Sequence, residues 1–344
     1  MNRFTALFVA VALLSGCKKK VENTTVETPK PAADFTVAFG SCNMSQEPNP
    51  FWDDILVEAP DVWIWGGDIV YADTDDVDRL RTIYAMQDSV AGYAKLKAEV
   101  PIIGTWDDHD FGLNDGGADF SIKKESQQVF LDFMGVPADS ERRTREGVYA
   151  AHEYETPKGT VKVIVLDTRY FRTELLKDED PNRRYQANFD ENATVLGSAQ
   201  WEWLQKELVD SHADFNLIMS SIQVLSGEHG FETWGNFPKE VEKLEQMIAE
   251  SKAKGVIILS GDRHISEFSK TEVEGLNYPL IDFTSSGLTH SYSSFSGEPN
   301  QFREGKVVSD KSYGIIDFNF ENKAVVFKMM GDHGTVLQEL KQIY

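Results

Sequence analysis

The chain has 344 residues, of which 41% are hydrophobic, 11% aromatic and 26% charged, a profile that excludes collagen-like, disulfide-scaffold and wholly disordered chains. Lys plus Arg number 34 against 56 Asp plus Glu, a net charge of −22, so the basic field that nucleic-acid binding requires is missing and no DNA or RNA partner is expected. The two cysteines, Cys17 and Cys42, stand in such different contexts that they are read separately rather than as a disulfide.

Residues 1–17 place Arg3 ahead of an apolar run over 4–14 and end on Ser15-Gly16-Cys17, the charged region, apolar region and small-residue cleavage site of an export signal. At about 1.5 Å per residue such a run covers about half of the roughly 30 Å hydrocarbon core, so it is not read as a transmembrane helix. Leu14-Ser15-Gly16-Cys17 resembles the lipobox of bacterial lipoproteins, in which the peptide is cut before the cysteine and the thiol is acylated. The resemblance implies a signal peptide over 1–16 and a lipidated Cys17 that begins a flexible tether over 17–33. The polar, Pro-containing sequence there has no apolar periodicity. Lys18 after the anchor cysteine, rather than Asp, resembles the outer-membrane sorting pattern. The expected location is therefore exported and membrane-anchored, on the periplasmic side or at the outer membrane of a Gram-negative host.

Residues 34–344 suffice for one large domain and show no internal repeat or second linker. Short apolar or β-branched runs at 35–39, 62–65, 102–105, 161–166, 215–219 and 256–259 predict strands. Stretches at 51–58, 75–98, 121–134, 198–208 and 239–252 predict helices, with Val241, Leu244, Met247 and Ile248 at helical spacing. Runs at 279–284, 313–320, 324–330 and 336–344 read as successive strands, so the fold class is α/β with strands dominating at the end.

Polar clusters follow four of these runs directly: Gly40-Ser41-Cys42-Asn43, Gly66-Gly67-Asp68-Ile69-Val70-Tyr71, Trp106-Asp107-Asp108-His109-Asp110 and Ser260-Gly261-Asp262-Arg263-His264. Ligands in α/β folds gather outside the carboxyl ends of strands, where loops vary freely. Several anionic side chains share a cleft only when cations neutralise them, so the constellation predicts metal. Carboxylates suit hard ions, whereas thiolate and imidazole suit zinc or iron, and both kinds together point to two unlike ions. With Asp68, Asp108 and Asp262 ionised and Cys42 and Tyr71 bound as thiolate and phenolate, one trivalent and one divalent ion would balance the charge. Such a pair serves phosphate-ester hydrolysis most directly, with His109 placed as general acid or transition-state stabiliser. Bound cations also invert the local field, so the global acidity is no bar to an anionic substrate.

The ordered set Phe39-Gly40-Ser41-Cys42, Gly67-Asp68-Ile69-Val70-Tyr71, Trp106-Asp107-Asp108-His109-Asp110, Leu166-Asp167-Thr168-Arg169, Gln200-Trp201-Glu202-Trp203-Leu204 and Gly261-Asp262-Arg263-His264 resembles the alkaline phosphatase D (PhoD-like) branch of the calcineurin-like metallophosphoesterases. The resemblance implies a four-layer αββα sandwich and a phosphomonoesterase or phosphodiesterase with iron (Fe3+) and calcium (Ca2+), another divalent pair being the alternative. It makes Cys42 and Tyr71 ferric ligands, Asp68 the bridging carboxylate and Asp108 a ligand of the second ion. Asp262 and His264 supply the closing ligands and His109 the catalytic group. Arg169 is assigned to substrate phosphate, with bracing of its loop as the other reading.

The wider superfamily has Asn at the place of Asp108, and a histidine ligand where this chain continues Ser220-Ser221-Ile222-Gln223. That absence fits the PhoD-like branch and leaves the second ion with fewer side-chain ligands. The loop 112–119 has oxygen donors that border the calcium position or simply form an Asx-rich loop, and 284–290 is expected to line the cleft without touching metal. The charged insertion 177–192, with Arg183-Arg184, reads as a solvated loop or a lid. The expected function is an exported phosphoesterase acting on a phosphate-ester substrate. The alternatives are a phospholipase-type diesterase at the membrane and a non-catalytic metal- or phosphate-binding lipoprotein, and no protein partner is expected.

Overall fold

The computed structural model describes Met1 and residues 33–344; residues 2–32, on which the expected signal peptide, the lipidated Cys17 and most of the expected tether fall, lie outside the described residues. The strands are β1 (Phe35–Gly40), β2 (Val62–Gly66), β3 (Ile102–Thr105), β4 (Ala150–Glu155), β5 (Thr160–Val165), β6 (Leu176–Lys177), β7 (Tyr185–Gln186), β8 (Phe215–Met219), β9 (Val256–Ser260), β10 (Ser266–Thr271), β11 (Leu280–Ser285), β12 (Arg303–Val308), β13 (Tyr313–Asn319), β14 (Ala324–Met330) and β15 (Val336–Ile343). The helices are α1 (Trp52–Val57), α2 (Val77–Asp88), α3 (Ala91–Glu99), α4 (Asp108–Phe111), α5 (Lys123–Phe133), α6 (Gly197–Val209) and α7 (Pro238–Ser251).

Two mixed sheets form, with orders β15-β14-β13-β1-β2-β3 and β12-β10-β11-β9-β8-β5-β4, and β6 pairs with β7 alone. The central pairs β1–β2, β2–β3, β5–β8, β8–β9 and β9–β11 are parallel. Successive side chains of a strand point to opposite faces, and each face has its own apolar partner. Val62 and Ile64 of β2, with Phe215, Leu217 and Met219 of β8, meet in a core contributed by both sheets. Trp63 and Trp65 of β2 turn the other way, onto α1, α3 and α5. Ile218 of β8 and Ile258 of β9 turn onto α6 and α7. Three cores between four layers produce the αββα sandwich that the family resemblance implies. Strands buried on both faces read as continuous apolar runs, and each fully buried Val, Leu, Ile or Phe contributes about 1.5–3 kcal/mol over exposure.

The pattern over 75–98 forms two helices rather than one. Val90 is extended, at φ −66 and ψ 115. Ser89 Oγ donates to the Met86 carbonyl at 2.6 Å, which satisfies the end of α2 before α3 begins. Strands β4, β10 and β12 were not anticipated. The sequence of β12, Arg303-Glu-Gly-Lys-Val-Val308, is largely solvent-facing at a sheet edge and lacks an apolar run. Among the described residues, no helix is long and apolar enough to cross a membrane.

Candidate metal centre

The parallel strands β1, β2 and β3 end side by side in one sheet, the loop after β9 of the other sheet meets them at Ser41 and Gly66, and the loops leaving all four take backbone conformations that L-residues seldom adopt. Cys42, Asp68, Asp73, Asp115, Asp262 and His264 all have φ between 41° and 66°. Such conformations cost of order 1–3 kcal/mol each and persist where surrounding structure enforces them, typically at functional sites. Two glycines permit the close approach. A Cβ on Gly67, at φ 89°, would lie 2.4 Å from the Asp107 Cβ, and one on Gly261 would lie 2.6 Å from Ser41 Oγ.

Two lobes result. In the first, Cys42 Sγ lies 3.4 Å from Asp68 Oδ2 and 3.0 Å from Ser286 Oγ. Tyr71 Oη is 3.2 Å from Asp68 Oδ2, 3.0 Å from His264 Nε2 and 2.9 Å from His290 Nε2. Ligand atoms of Cys42, Asp68 and His264 all fall within 4.8 Å of one another. In the second, the same spacing unites Asp68, Asp108 and His109; Asp107, Asp108 and Asp262; and Asp108, Asp115 and Glu232. Asp68 thus belongs to both lobes, the first offering sulfur, phenol and imidazole and the second mostly carboxylate oxygen.

Burial dominates the electrostatics. It pushes the Cys42 thiol up to about 12 and Asp107 up to about 8. Asp68 is held well above the carboxylate range by burial and then by the charges of Cys42 and Asp108. Asp262 is raised by burial and then by Asp107. Asp108 goes the other way: burial would raise it, but Arg169, His109 and the backbone N–H groups of Asp115 and His109 outweigh that and lower it. Asp107 Oδ2 is buried with no hydrogen-bond partner among the described residues. Donors so deeply buried ionise together only beside positive charge, and their chemistry fits two unlike cations.

His109 lies in the first turn of α4, whose N-cap Asp107 and third residue Asp110 form a reciprocal capping box. Its Nδ1 is 2.8 and 2.9 Å from the two oxygens of Asp73. Burial alone would lower its pKa, but Asp73, Asp68 and Asp108 together raise it to about 10. Asp110 Oδ1 accepts the backbone N–H of Asp68 at 3.2 Å and of Asp107 at 2.6 Å, and so ties the ends of β2 and β3 together.

The structure therefore brings Cys42, Asp68, Tyr71, Asp108, His109, Asp262 and His264 to one cleft. Arg169 sits behind them: its side chain is fully buried, with Nε 2.6 Å from Asp107 Oδ1 and Nη1 2.6 Å from Glu232 Oε2, contacts that match the bracing one of its two readings. Sequence reasoning missed Asp73, hidden in an acidic run that reads as a helix start, and Glu232, in a loop with no strand before it. His290, expected to line the cleft without touching metal, has Nε2 2.9 Å from Tyr71 Oη. The insertion forms the β6–β7 hairpin, and Arg184 and Tyr185 both reach Asp115 Oδ2, at 3.0 and 2.7 Å.

A family model described as PhoD-like phosphatase matches residues 37–342. Alkaline phosphatase D of Bacillus subtilis (strain 168) is 23% identical over 211 residues, a match that covers 56% of this chain and 36% of that protein's length. A solved structure described as PhoD superposes with a TM-score of 0.70 at 18% identity, covering 90% of this chain and 68% of the other. A dimetal phosphatase from Danio rerio superposes at 0.52 with 14% identity, covering 91% and 99%. GAP50, described as the anchor in the inner membrane complex of Plasmodium, superposes at 0.57 with 13% identity, covering 90% and 88%. At these identities the superpositions speak to the fold alone.

Proposed function

The chain belongs to the PhoD-like phosphatase family, and from that premise we propose that it is an exported phosphoesterase, anchored through lipid on Cys17, that hydrolyses phosphate esters. One observation carries the reading: Asp68 joins a sulfur, phenol and imidazole lobe to a carboxylate lobe, with His109 beside both.

Cys42, Tyr71 and His264 would hold a ferric ion, Asp68 would bridge, and Asp108 and Asp262 would hold calcium. Held there, the cations would supply positive charge for the developing oxyanion and a more acidic water. The residues of the chain supply the rest. Asp73 holds His109 Nδ1, fixing the ring so that Nε2–H remains to protonate the leaving oxygen at neutral pH. Asp110 keeps Asp68 and Asp107 in register. Arg169 balances the buried charge of Asp107 and Glu232 and holds the loops that frame the cleft.

Elemental analysis of purified protein, together with assays on a chromogenic monoester, a diester and a phospholipid, tests this reading. It expects a bound transition metal with calcium and turnover on at least one ester, abolished in Asp262→Asn. Protein without transition metal, or inactive on all three, overturns it. Membrane fractionation of wild type against Cys17→Ala tests the anchor, which predicts release of the variant from the membrane.

A further inference from the structure

The hairpin β6–β7 is latched beside the candidate centre rather than left in solvent. The backbone N–H groups of Arg184 and Tyr185 both donate to the Gly230 carbonyl, at 2.7 and 3.0 Å. Their side chains converge on Asp115, whose carboxylate groups with Asp108 and Glu232. Four contacts therefore set the position of Arg184, although its side chain is 56% exposed.

The cavity of about 360 Å³ lined by Asp108 and His109 is also lined by Arg184, Phe231, Arg263 and Tyr292. The Arg263 guanidinium lies 4.2 Å from the Phe231 ring centroid and that of Arg184 lies 5.8 Å from it. Stacking on an aromatic face orients a guanidinium without using its N–H donors. Arg263 spends Nη2 on both oxygens of Glu298 at 2.9 Å, and its buried Nε has no hydrogen-bond partner among the described residues. Arg184 spends Nη1 on Asp115, so most of its donors are uncommitted. A buried donor without an acceptor costs about 1–3 kcal/mol, and a ligand oxygen would remove that cost. The forked donors of a guanidinium match the geometry of a phosphoryl group, and both groups line the one cavity.

We propose that Arg184 and Arg263, stacked about Phe231, form a second anion subsite, so that the preferred substrate is a phosphate ester whose alcohol portion carries a further phosphoryl group. This rests on the phosphoesterase reading above and gives the insertion its role as one wall of a specificity pocket. Arg184 and Arg263 act here on substrate remote from the reacting atoms, as specificity residues.

The test compares kcat/KM for propane-1,3-diol bisphosphate with that for propane-1,3-diol monophosphate, using the full chain with its metals. Wild type is expected to favour the bisphosphate about tenfold or more, chiefly through KM. Arg184→Gln lowers that ratio about tenfold, and Arg184→Lys, which keeps the charge but not the fork, gives an intermediate ratio. A wild-type preference for the monophosphate, or a ratio unchanged in Arg184→Gln, overturns the subsite. If wild type turns over neither ester, calorimetry on the same two compounds decides the subsite, and the phosphoesterase reading is decided separately by the assays on the chromogenic monoester, the diester and the phospholipid. Tighter bisphosphate binding that Arg184→Gln removes supports it, and equal binding of both compounds overturns it.

Discussion

His109 Nδ1 lies 2.8 Å from Asp73 Oδ1, a contact between the first turn of a four-residue helix and a loop residue held at φ 41°. The carboxylate fixes the ring and favours its charged form. Asp73→Asn keeps the shape and removes the charge. It is expected to lower kcat about ten- to a hundredfold with a much smaller change in KM, part of the 10²–10⁴ that general acid catalysis supplies. Because the pKa is raised, the acid form is present below it and is lost as pH rises. The variant's basic limb should therefore move to lower pH in a kcat–pH profile, and an unmoved limb would count against His109 as the acid.

Tyr71 sits between Asp68, His264 and His290 with its hydroxyl as the shared point. If that oxygen binds the transition metal, Tyr71→Phe should lose visible absorption arising from phenolate-to-metal charge transfer and at least tenfold in activity. Calcium content should be affected less than transition-metal content, because the carboxylate lobe is untouched. Absorption spectra and elemental analysis of the same preparations check both.

Arg169 is buried between Asp107 and Glu232. Removing one partner of a buried ionic group leaves uncompensated charge and typically costs about 3–5 kcal/mol. Arg169→Met should be destabilised by about that amount in denaturant unfolding. A variant of wild-type stability with a selectively raised KM would instead return Arg169 to the substrate-binding role read from sequence.

His229 is depressed to about 3 by burial and then by the charge of Arg263, while its Nδ1 accepts the Phe231 N–H at 3.1 Å. The unfolded chain, titrating near 6.5, binds the proton first, so this histidine's contribution is intact above about pH 6.5 and is lost as pH falls towards 3. His229→Asn preserves an acceptor for Phe231 and removes the titration. Its stability should fall less steeply than wild type between pH 6.5 and 4, measured by denaturant midpoints across that range.

Sequence alone determined the strands whose both faces are buried, because continuous apolar runs such as Val62-Trp63-Ile64-Trp65 have few other uses. It also determined which residues stand at their carboxyl ends, since Cys42, Asp68, Asp108 and Asp262 each follow such a run within a few positions. What only the tertiary structure decided lies in segments without periodicity. Glu232, His290 and Arg184 come from loops, whose reach is set by contacts such as Gly230 to Arg184 rather than by any local pattern. The partners of Arg169 were equally beyond the sequence, which left phosphate contact and loop bracing both open: Asp107 at the end of β3 and Glu232 from a distant loop meet it only in the folded chain.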